Sequence, residues 1–375
     1  MAKTSFVPNP AKIKVLGLGG GGCNAITRMV QEEIQGVDFI GINTDAQALL
    51  LTEAPTRIQI GEKLTRGLGV GGDHALGHKA AEQSRDELRE CVSEADMVFI
   101  TVGMGGGTGT GAAPVVAELA KQAGALTIAV VTKPFTFEGA HRLQVAEESI
   151  EHLIEKVDTL IVIPNDRLLT LCDNKTAVNS AFKMADDVLR HGVQAIAEVI
   201  TVPGVINLDF ADVKSVMKDA GPAWMSIGTG TGQNRAVDAA KQALASPLLD
   251  VSIEGSRGVL FNVCGGSSLT LFEVNEAADI ISKAVDPEAN IIFGVVFDPR
   301  MDNEVKLTLI ATGFTTTSGK MIRKDEELRR LLQSAEKDET ELDVPTFLRR
   351  PHARRLPAEV PATAHHNPRF RSPVH

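Results

Sequence analysis

The chain has 375 residues, 43% of them hydrophobic, and a formal net charge of −10 at pH 7. That length suits two domains with substantial cores, and the acidic balance, with one Trp and no Tyr, argues against general nucleic-acid binding. No apolar run approaches the roughly 20 residues that span a bilayer, and residues 1–10 lack the apolar core of a secretion signal.

In chain order, Ile13–Leu18 reads as a strand, Cys23–Gln35 as a helix and Val37–Ile42 as the next strand. His74–Cys91 reads as one helix and Met97–Val102 as a buried strand. Val115–Ala123 reads as a helix with Pro114 in its first turn, where a missing N–H costs nothing. Strand Leu126–Thr132, helix Ala140–Val157 and strand Thr159–Ile163 complete a βαβ rhythm. Its nearly all-apolar strands imply a parallel sheet covered on both faces. A long helix is expected from Thr176 to Ile200, with Phe182, Val188, Val193, Ile196 and Ile200 among its apolar positions and Pro203-Gly204 ending it. It reads as the connection to a smaller α+β domain. That domain has strands at Trp224–Gly228, Val259–Cys264, Ile291–Phe297 and Val305–Ala311, and helices at Ala236–Ala245 and Leu271–Ala284. The expected boundaries are 11–175 for the Rossmann-like nucleotide domain, 176–202 for the helix and 203–314 for the second domain. A charged linker at 315–340, a mixed segment at 341–350 and a disordered basic tail at 351–375 follow. Cys23, Cys91, Cys172 and Cys264 are far apart, form no CxxC pair and read as thiols of a reducing cytosol.

Glycine loops carry the chemistry. Gly17-Leu18-Gly19-Gly20-Gly21-Gly22 fits GxGxxG, with Asp38 about twenty residues on, as a dinucleotide fold requires. On that motif alone a nicotinamide or flavin oxidoreductase is an equal reading. The glycines run on into Cys23-Asn24, and Asn43-Thr44-Asp45 follows the second strand where polar groups can reach a ligand. Gly67-Leu68-Gly69-Val70-Gly71-Gly72-Asp73 is either an ordinary surface loop or a third wall of the same crevice. The most informative stretch is Gly105-Gly106-Gly107-Thr108-Gly109-Thr110-Gly111, between a buried strand and a helix. Absent Cβ atoms leave its N–H groups open, Thr108 and Thr110 add hydroxyls, and the helix adds its positive end. A second phosphate cradle has no role in a simple dehydrogenase. The P-loop pattern GxxxxGK[ST] occurs nowhere, so phosphates are held without its lysine.

The run GGGTGTG at Gly105–Gly111 resembles the signature of the tubulin/FtsZ family without a mismatch. So do Gly19–Asn24, Asn43–Leu49, Pro134–Gly139, Ile163–Arg167 and Asn207–Val213, in the family's order over about Ala11 to Gly313. The resemblance implies a cytoplasmic, two-domain bacterial GTPase that polymerises head to tail and builds the bacterial division ring at midcell, on the inner face of the membrane. It implies GTP/GDP and Mg2+ as cofactors. Nucleotide contacts carry over to Gly19, Gly20, Gly21, Gly22, Cys23, Asn24, Asn43, Asp45, Gly71, Gly72, Gly105, Gly106, Gly107, Thr108, Gly109, Thr132 and Pro134. Glu138 matches the ribose contact and Arg142 the basic residue beside the phosphates. Asn165 and Asp186 match the guanine contacts, and Phe182 the aromatic that stacks on the base. A carboxylate is the natural acceptor for guanine's N1–H and N2–H, so Asp186 would select guanine over adenine. Read without the family, Glu138 and Arg142 form an i,i+4 helix pair and Phe182 is core.

Asn207, Asp209 and Asp212 match the family's catalytic residues, which enter the nucleotide pocket of the next subunit, so hydrolysis follows assembly. Read alone, Asp209 or Asp212 caps a helix at Val213–Lys218. Asp343-Val344-Pro345-Thr346-Phe347-Leu348-Arg349-Arg350 resembles the peptide that docks membrane tethers and regulatory division proteins. It departs from the pattern in its short linker and in the 25 residues (351–375) that follow it. Other readings are a filament protein for plasmid segregation or cell shape, a dinucleotide oxidoreductase, and a scaffold that holds GTP uncleaved.

Overall fold

The computed structural model describes residues 11–170, 177–201, 209–246, 253 and 255–314. Six strands run parallel in spatial order 3-2-1-4-5-6: β1 (Ile13–Leu18), β2 (Val37–Asn43), β3 (Thr56–Gln59), β4 (Met97–Gly103), β5 (Leu126–Lys133) and β6 (Thr159–Pro164). Between them come α1 (Gly19–Gln31), α2 (Ala46–Leu50), α3 (Glu62–Thr65), α4 (His74–Gln83), α5 (Arg85–Val92), α6 (Thr108–Gln122), α7 (Ala140–Ile154) and α8 (Asn165–Leu169). Alternate residues of the same strand go to different cores. Val15, Phe99, Ile128 and Val130 join Ile26 and Met29 of α1 on one face. Leu16, Ile100, Ala129 and Val131 join Ala113, Val116 and Leu153 of α6 and α7 on the other. Both faces are therefore dry, as the unbroken apolar runs require.

Next come α9 (Val178–Thr201), α10 (Phe210–Met217), β7 (Gly221–Thr231), α11 (Arg235–Leu244), β8 (Gly258–Gly265), α12 (Leu271–Ser282), β9 (Asn290–Phe297) and β10 (Glu304–Thr312). β7 joins the halves. Its first residues, Gly221–Ala223, pair parallel with Thr159–Ile161 of β6, and Trp224–Thr231 pair antiparallel with β10. β8 then pairs antiparallel with β10 and parallel with β9, giving one ten-stranded sheet. The 24-residue α9 lies across the junction. Its Leu189, Val193 and Ile196 share a core with Ile128 and Val130 of the first half and with Met225, Leu260 and Ile310 of the second. A Cβ on Gly192 would come within 2.9 Å of Val130 Cγ1 and 3.2 Å of Met225 Sδ, so α9 touches both halves at one residue.

Several element bounds differ from the sequence reading. α1 begins at Gly19, because its glycines are packing positions: a Cβ on Gly22 would sit 2.3 Å from the Thr101 carbonyl oxygen. It ends before Glu33, which adopts φ 55 ahead of Gly36 at φ 77. The helix read over 74–91 breaks at Ser84, whose hydroxyl accepts from the Gly61 amide. α6 begins at Thr108, so Pro114 lies inside it rather than in its first turn. β3, with the sequence TRIQ, carries no apolar run that would announce it.

Candidate functional site

Parallel strands end at one edge, so the segments after β1, β2, β4, β5 and β6 lie side by side there. The strand order reverses between β1 and β4, where an open α/β sheet leaves a crevice. The loops close on one another because glycines let them. A Cβ on Gly19 would sit 2.7 Å from the Gly109 nitrogen, one on Gly107 would sit 2.4 Å from Val70 Cγ2, and one on Gly105 would sit 2.7 Å from the Arg142 carbonyl oxygen. Thr44 Oγ1, after β2, lies 2.7 Å from Thr108 Oγ1 at the start of α6. Other glycines face open space. A Cβ on Gly20, Gly71, Gly72 or Gly106 would meet nothing within 4 Å. Gly71, Gly72, Gly105 and Gly106 line a cavity of about 400 Å³ with His141, Arg142 and Val145. A larger hollow of about 580 Å³ lies at the opposite ends of the strands, by Lys14, Asp38, Arg57 and Glu87, and none of the glycine loops lines it.

Side-chain capping is uneven among the helices. α2, α4, α10 and α12 are capped by the side chains of Asp45, Asp73, Asp209 and Thr270. α1, α6 and α7 begin at the crevice edge with Leu18, Gly107 and Gly139 at their N-caps, no side-chain cap and no acid in the first turn. Their N–H groups and positive dipole ends are left for an anion.

The individual side chains take distinct parts. Gly21 and Asn24 are exposed beside Gly20. Cys23 is buried with its thiol toward the Gly17 and Ile42 carbonyls, and burial pushes it up to about 11, so only its backbone can meet a ligand. Asn43 Oδ1 accepts from the Thr44 amide, and Asp45 is occupied as a cap. Thr132 is buried at the end of β5, and Pro134 packs against Gly105. Thr110 is not presented to the crevice as the sequence suggested. It is 1% exposed, and its hydroxyl has no partner among the described residues. Glu138 Oε2 pairs with Arg142 Nη1 at 2.8 Å, and its Oε1 accepts from the Phe135 amide.

A second wall comes from the start of α9. Phe182 is 39% exposed rather than core, with its ring edge-on to Phe135 at 5.5 Å and to Phe137 at 6.4 Å. One turn on, Asp186 is largely buried, and Arg28 Nε of α1 reaches its Oδ2 at 3.3 Å. Burial pushes the Asp186 carboxyl up to about 6, against the pull of Arg28. Asn165 opens α8, which packs on α9, and its buried Oδ1 has no hydrogen-bond partner among the described residues. Sequence reading missed Arg28, which belongs to no motif by residue type, and only the fold brings it to Asp186. Thr44 lay in the Asn43-Thr44-Asp45 segment, and its contact with Thr108 is the fold's addition.

The acidic pair lies elsewhere. Asp209 accepts from the Asp212 amide at 2.8 Å, and Asp212 Oδ2 accepts from the Asp209 amide at 3.2 Å, so the capping reading holds for a helix at Phe210–Met217. The far end of α10 is fixed to the amino-terminal ends of strands, through Thr159 Oγ1 to the Met217 carbonyl and Asn290 Nδ2 to Ser215 Oγ. A six-residue strand such as β6 separates its two edges by about 20 Å. Both aspartates are exposed, and they belong to the sheet edge that the glycine loops do not occupy. Asn207, Cys172, the linker, the 343–350 peptide and the tail lie outside the described residues. Among the described residues no three His, Cys, Asp or Glu side chains form a metal site, and no helix is long and apolar enough to cross a membrane.

The pattern of the tubulin/FtsZ family GTPase domain matches residues 12–173, and that of the FtsZ family C-terminal domain matches residues 221–315. The chain belongs to the tubulin/FtsZ family. A solved FtsZ dimer from M. jannaschii is 49% identical, covering 81% of this chain and 89% of that one, with a TM-score of 0.79. Two Haloferax volcanii proteins share the fold at lower identity. A GDP-bound CetZ1 monomer is 21% identical, covering 87% of this chain and 99% of that one, with a TM-score of 0.71. A GTPγS-bound CetZ2 protofilament is 19% identical, covering 85% and 99%, with a TM-score of 0.68. As a tubulin/FtsZ-family member the chain is a GTPase. Its parallel-sheet half carries the GTPase pattern and its mixed-sheet half the FtsZ C-terminal pattern.

Proposed function

We propose that the chain binds GTP at the glycine-lined crevice, polymerises head to tail, and hydrolyses GTP only where two subunits meet. The observation that carries this is the separation of two incomplete half-sites. The phosphate cradle, with uncapped α1 and α6 and open Gly20 and Gly106, lies at one edge of the sheet. Asp209 and Asp212 lie at the other. Hydrolysis needs charge stabilisation and a positioned water together, which a single chain with this geometry does not bring to one point. Stacked subunits with the same orientation would bring cradle and carboxylates together at every junction. The M. jannaschii dimer and the H. volcanii protofilament support self-association.

In this reading the backbone N–H groups of Gly20–Asn24 and Gly107–Gly109 hold the phosphates. Gly71, Gly72, Asn43 and Asp45 shape the walls, Glu138 takes the ribose, and Phe182, Asn165 and Asp186 take the base. Asp209 and Asp212, with Asn207, orient the attacking water in the next subunit's pocket. A magnesium ion bound together with GTP would neutralise charge on the transferred group. The polymer's role is the division ring at midcell, reached through tethers that bind the apolar and basic 343–350 peptide, with avidity supplied by the polymer.

The test is GTP turnover against protein concentration with magnesium present. A rate near zero up to a threshold, then rising linearly, is expected. A line through the origin would mean that each chain carries a complete site, and the shared-site reading would fall.

A further inference from the structure

We propose that Arg28 is the positioning residue for guanine selectivity: its guanidinium anchors one oxygen of Asp186 and favours the ionised carboxylate, which accepts from guanine and excludes adenine. This rests on the guanine-side role read above for Asp186. The geometry is a fork from α1 onto two adjacent acids of α9. Arg28 Nε is 3.3 Å from Asp186 Oδ2, and Nη1 is 3.7 Å from Asp187 Oδ1. The side chains of Arg28 and Asp186 are only 25% and 18% exposed, so water screens the contact weakly. An ionised carboxylate accepts about four hydrogen bonds, so the Arg28 bond leaves acceptors for guanine's N1–H and N2–H. A protonated carboxyl offers one O–H and one acceptor. That opposes guanine's paired donors and matches adenine's N1 acceptor and N6–H donor. The charge state of one side chain therefore decides which base fits, and the Arg28 contact favours the ionised state against burial.

The neighbours leave Arg28 as the group that does this. On α9 itself, Lys183, Asp187 and Arg190 flank Asp186, and Asp187 opposes its ionisation. Arg190 Nε lies 3.6 Å from Asp187. α8 carries Asp166, taken by Thr136, and Arg167. β5 carries Lys133, paired with Glu147. Burial of Asp186 favours its neutral form, so losing the Arg28 contact moves its protonation toward neutral pH.

The experiment is equilibrium binding of GTP and ATP by the full chain, by competition with a labelled GTP, across roughly pH 5 to 8.5. It uses the unaltered chain, Arg28→Gln, Arg28→Lys and Asp186→Asn. The unaltered chain should lose GTP affinity as pH falls through about 6. Arg28→Gln should shift that limb upward by about one pH unit or more. Its GTP-over-ATP preference at neutral pH should fall about tenfold and recover in alkali. Arg28→Lys should restore most of the preference. Asp186→Asn should abolish the limb, which tests the proposal even where Arg28→Gln fails to fold. Equal loss of GTP and ATP affinity at every pH in Arg28→Gln, or a limb that survives Asp186→Asn, would overturn the proposal. Equal binding of GTP and ATP by the unaltered chain would overturn the guanine-side reading itself, and this proposal with it.

Discussion

His191 sits one residue past Arg190 on α9, with its Nε2 2.9 Å from Arg190 Nη2. Burial first, then the charges of Arg190 and Lys306, push its imidazole down to about 3. The folded chain therefore refuses a proton that the unfolded chain accepts below about 6.5. Between about 3 and 6.5 the unfolded state binds more protons, so this residue makes stability fall as pH falls. Asp186 works the other way. Its folded value is raised from 3.8 to about 6, so between those values its contribution to stability falls as pH rises. Whole-protein pH curves mix the two, and a difference separates them. Urea unfolding of the parent and of His191→Gln should diverge below about pH 6.5, the parent losing up to about 1.4 kcal/mol more per pH unit. Parallel curves would mean that His191 takes its proton without unfolding. Neither shift is legible in the sequence. His191 reads as one more polar position on an amphipathic helix until β10 is known to bring Lys306 against it.

At the scale of elements, the glycine loops hold two kinds of glycine that the sequence does not distinguish. Those in α6 close the contact with α4. A Cβ on Gly111 would lie 2.2 Å from the His74 carbonyl oxygen, and one on Gly77 would lie 2.3 Å from that of Gly107. Both obstacles are backbone, which does not swing aside. Gly111→Ala should cost about 3 kcal/mol or more in urea or thermal unfolding. Gly20 lies in α1 with nothing within 4 Å of its missing Cβ, toward the crevice. Gly20→Ala should raise stability by up to about 1 kcal/mol through helix propensity while weakening GTP binding, because a methyl would fill the space that the proposed cradle leaves for a phosphate. Stability lost at Gly20, or GTP affinity unchanged there, would count against the cradle. The strands other than β3, the long α9 and the glycine turns after strands were readable because apolar runs and glycines after strands follow from period and turn chemistry. The starts of α1 and α6 were not, since glycine-rich sequence favours coil by propensity and only close helix packing overrides it. In Gly105–Gly111 the strand-to-helix turn was legible, but the helical state of its second half and the burial of Thr110 were not.

At the scale of the molecule, one sheet and one long helix join a half that binds nucleotide to a half that carries acids. Leu189, Val193 and Ile196 pack against both. The proposed assembly, with the cradle of one subunit meeting the carboxylates of the next, is a heterologous, head-to-tail contact, which gives a filament where the rotation between subunits does not close a ring. That arrangement has a consequence that a self-contained enzyme lacks. Asp212→Asn keeps a side-chain acceptor for the Asp209 amide, so α10 stays capped, but it removes the charge offered to the next subunit. Gly106→Asp places a carboxylate where a Cβ meets nothing within 4 Å, so the fold is spared and phosphate is repelled. Each variant alone should hydrolyse little GTP, the first for want of the carboxylate and the second for want of bound nucleotide. Mixed, the loaded cradle of the first can receive the intact Asp209 and Asp212 of the second, which makes one complete junction. Turnover should therefore appear in the mixture, peak near equal proportions and vanish on dilution. A mixture as inactive as its components would mean that cradle and carboxylates serve the same chain, and the head-to-tail reading of this sheet would have to be abandoned.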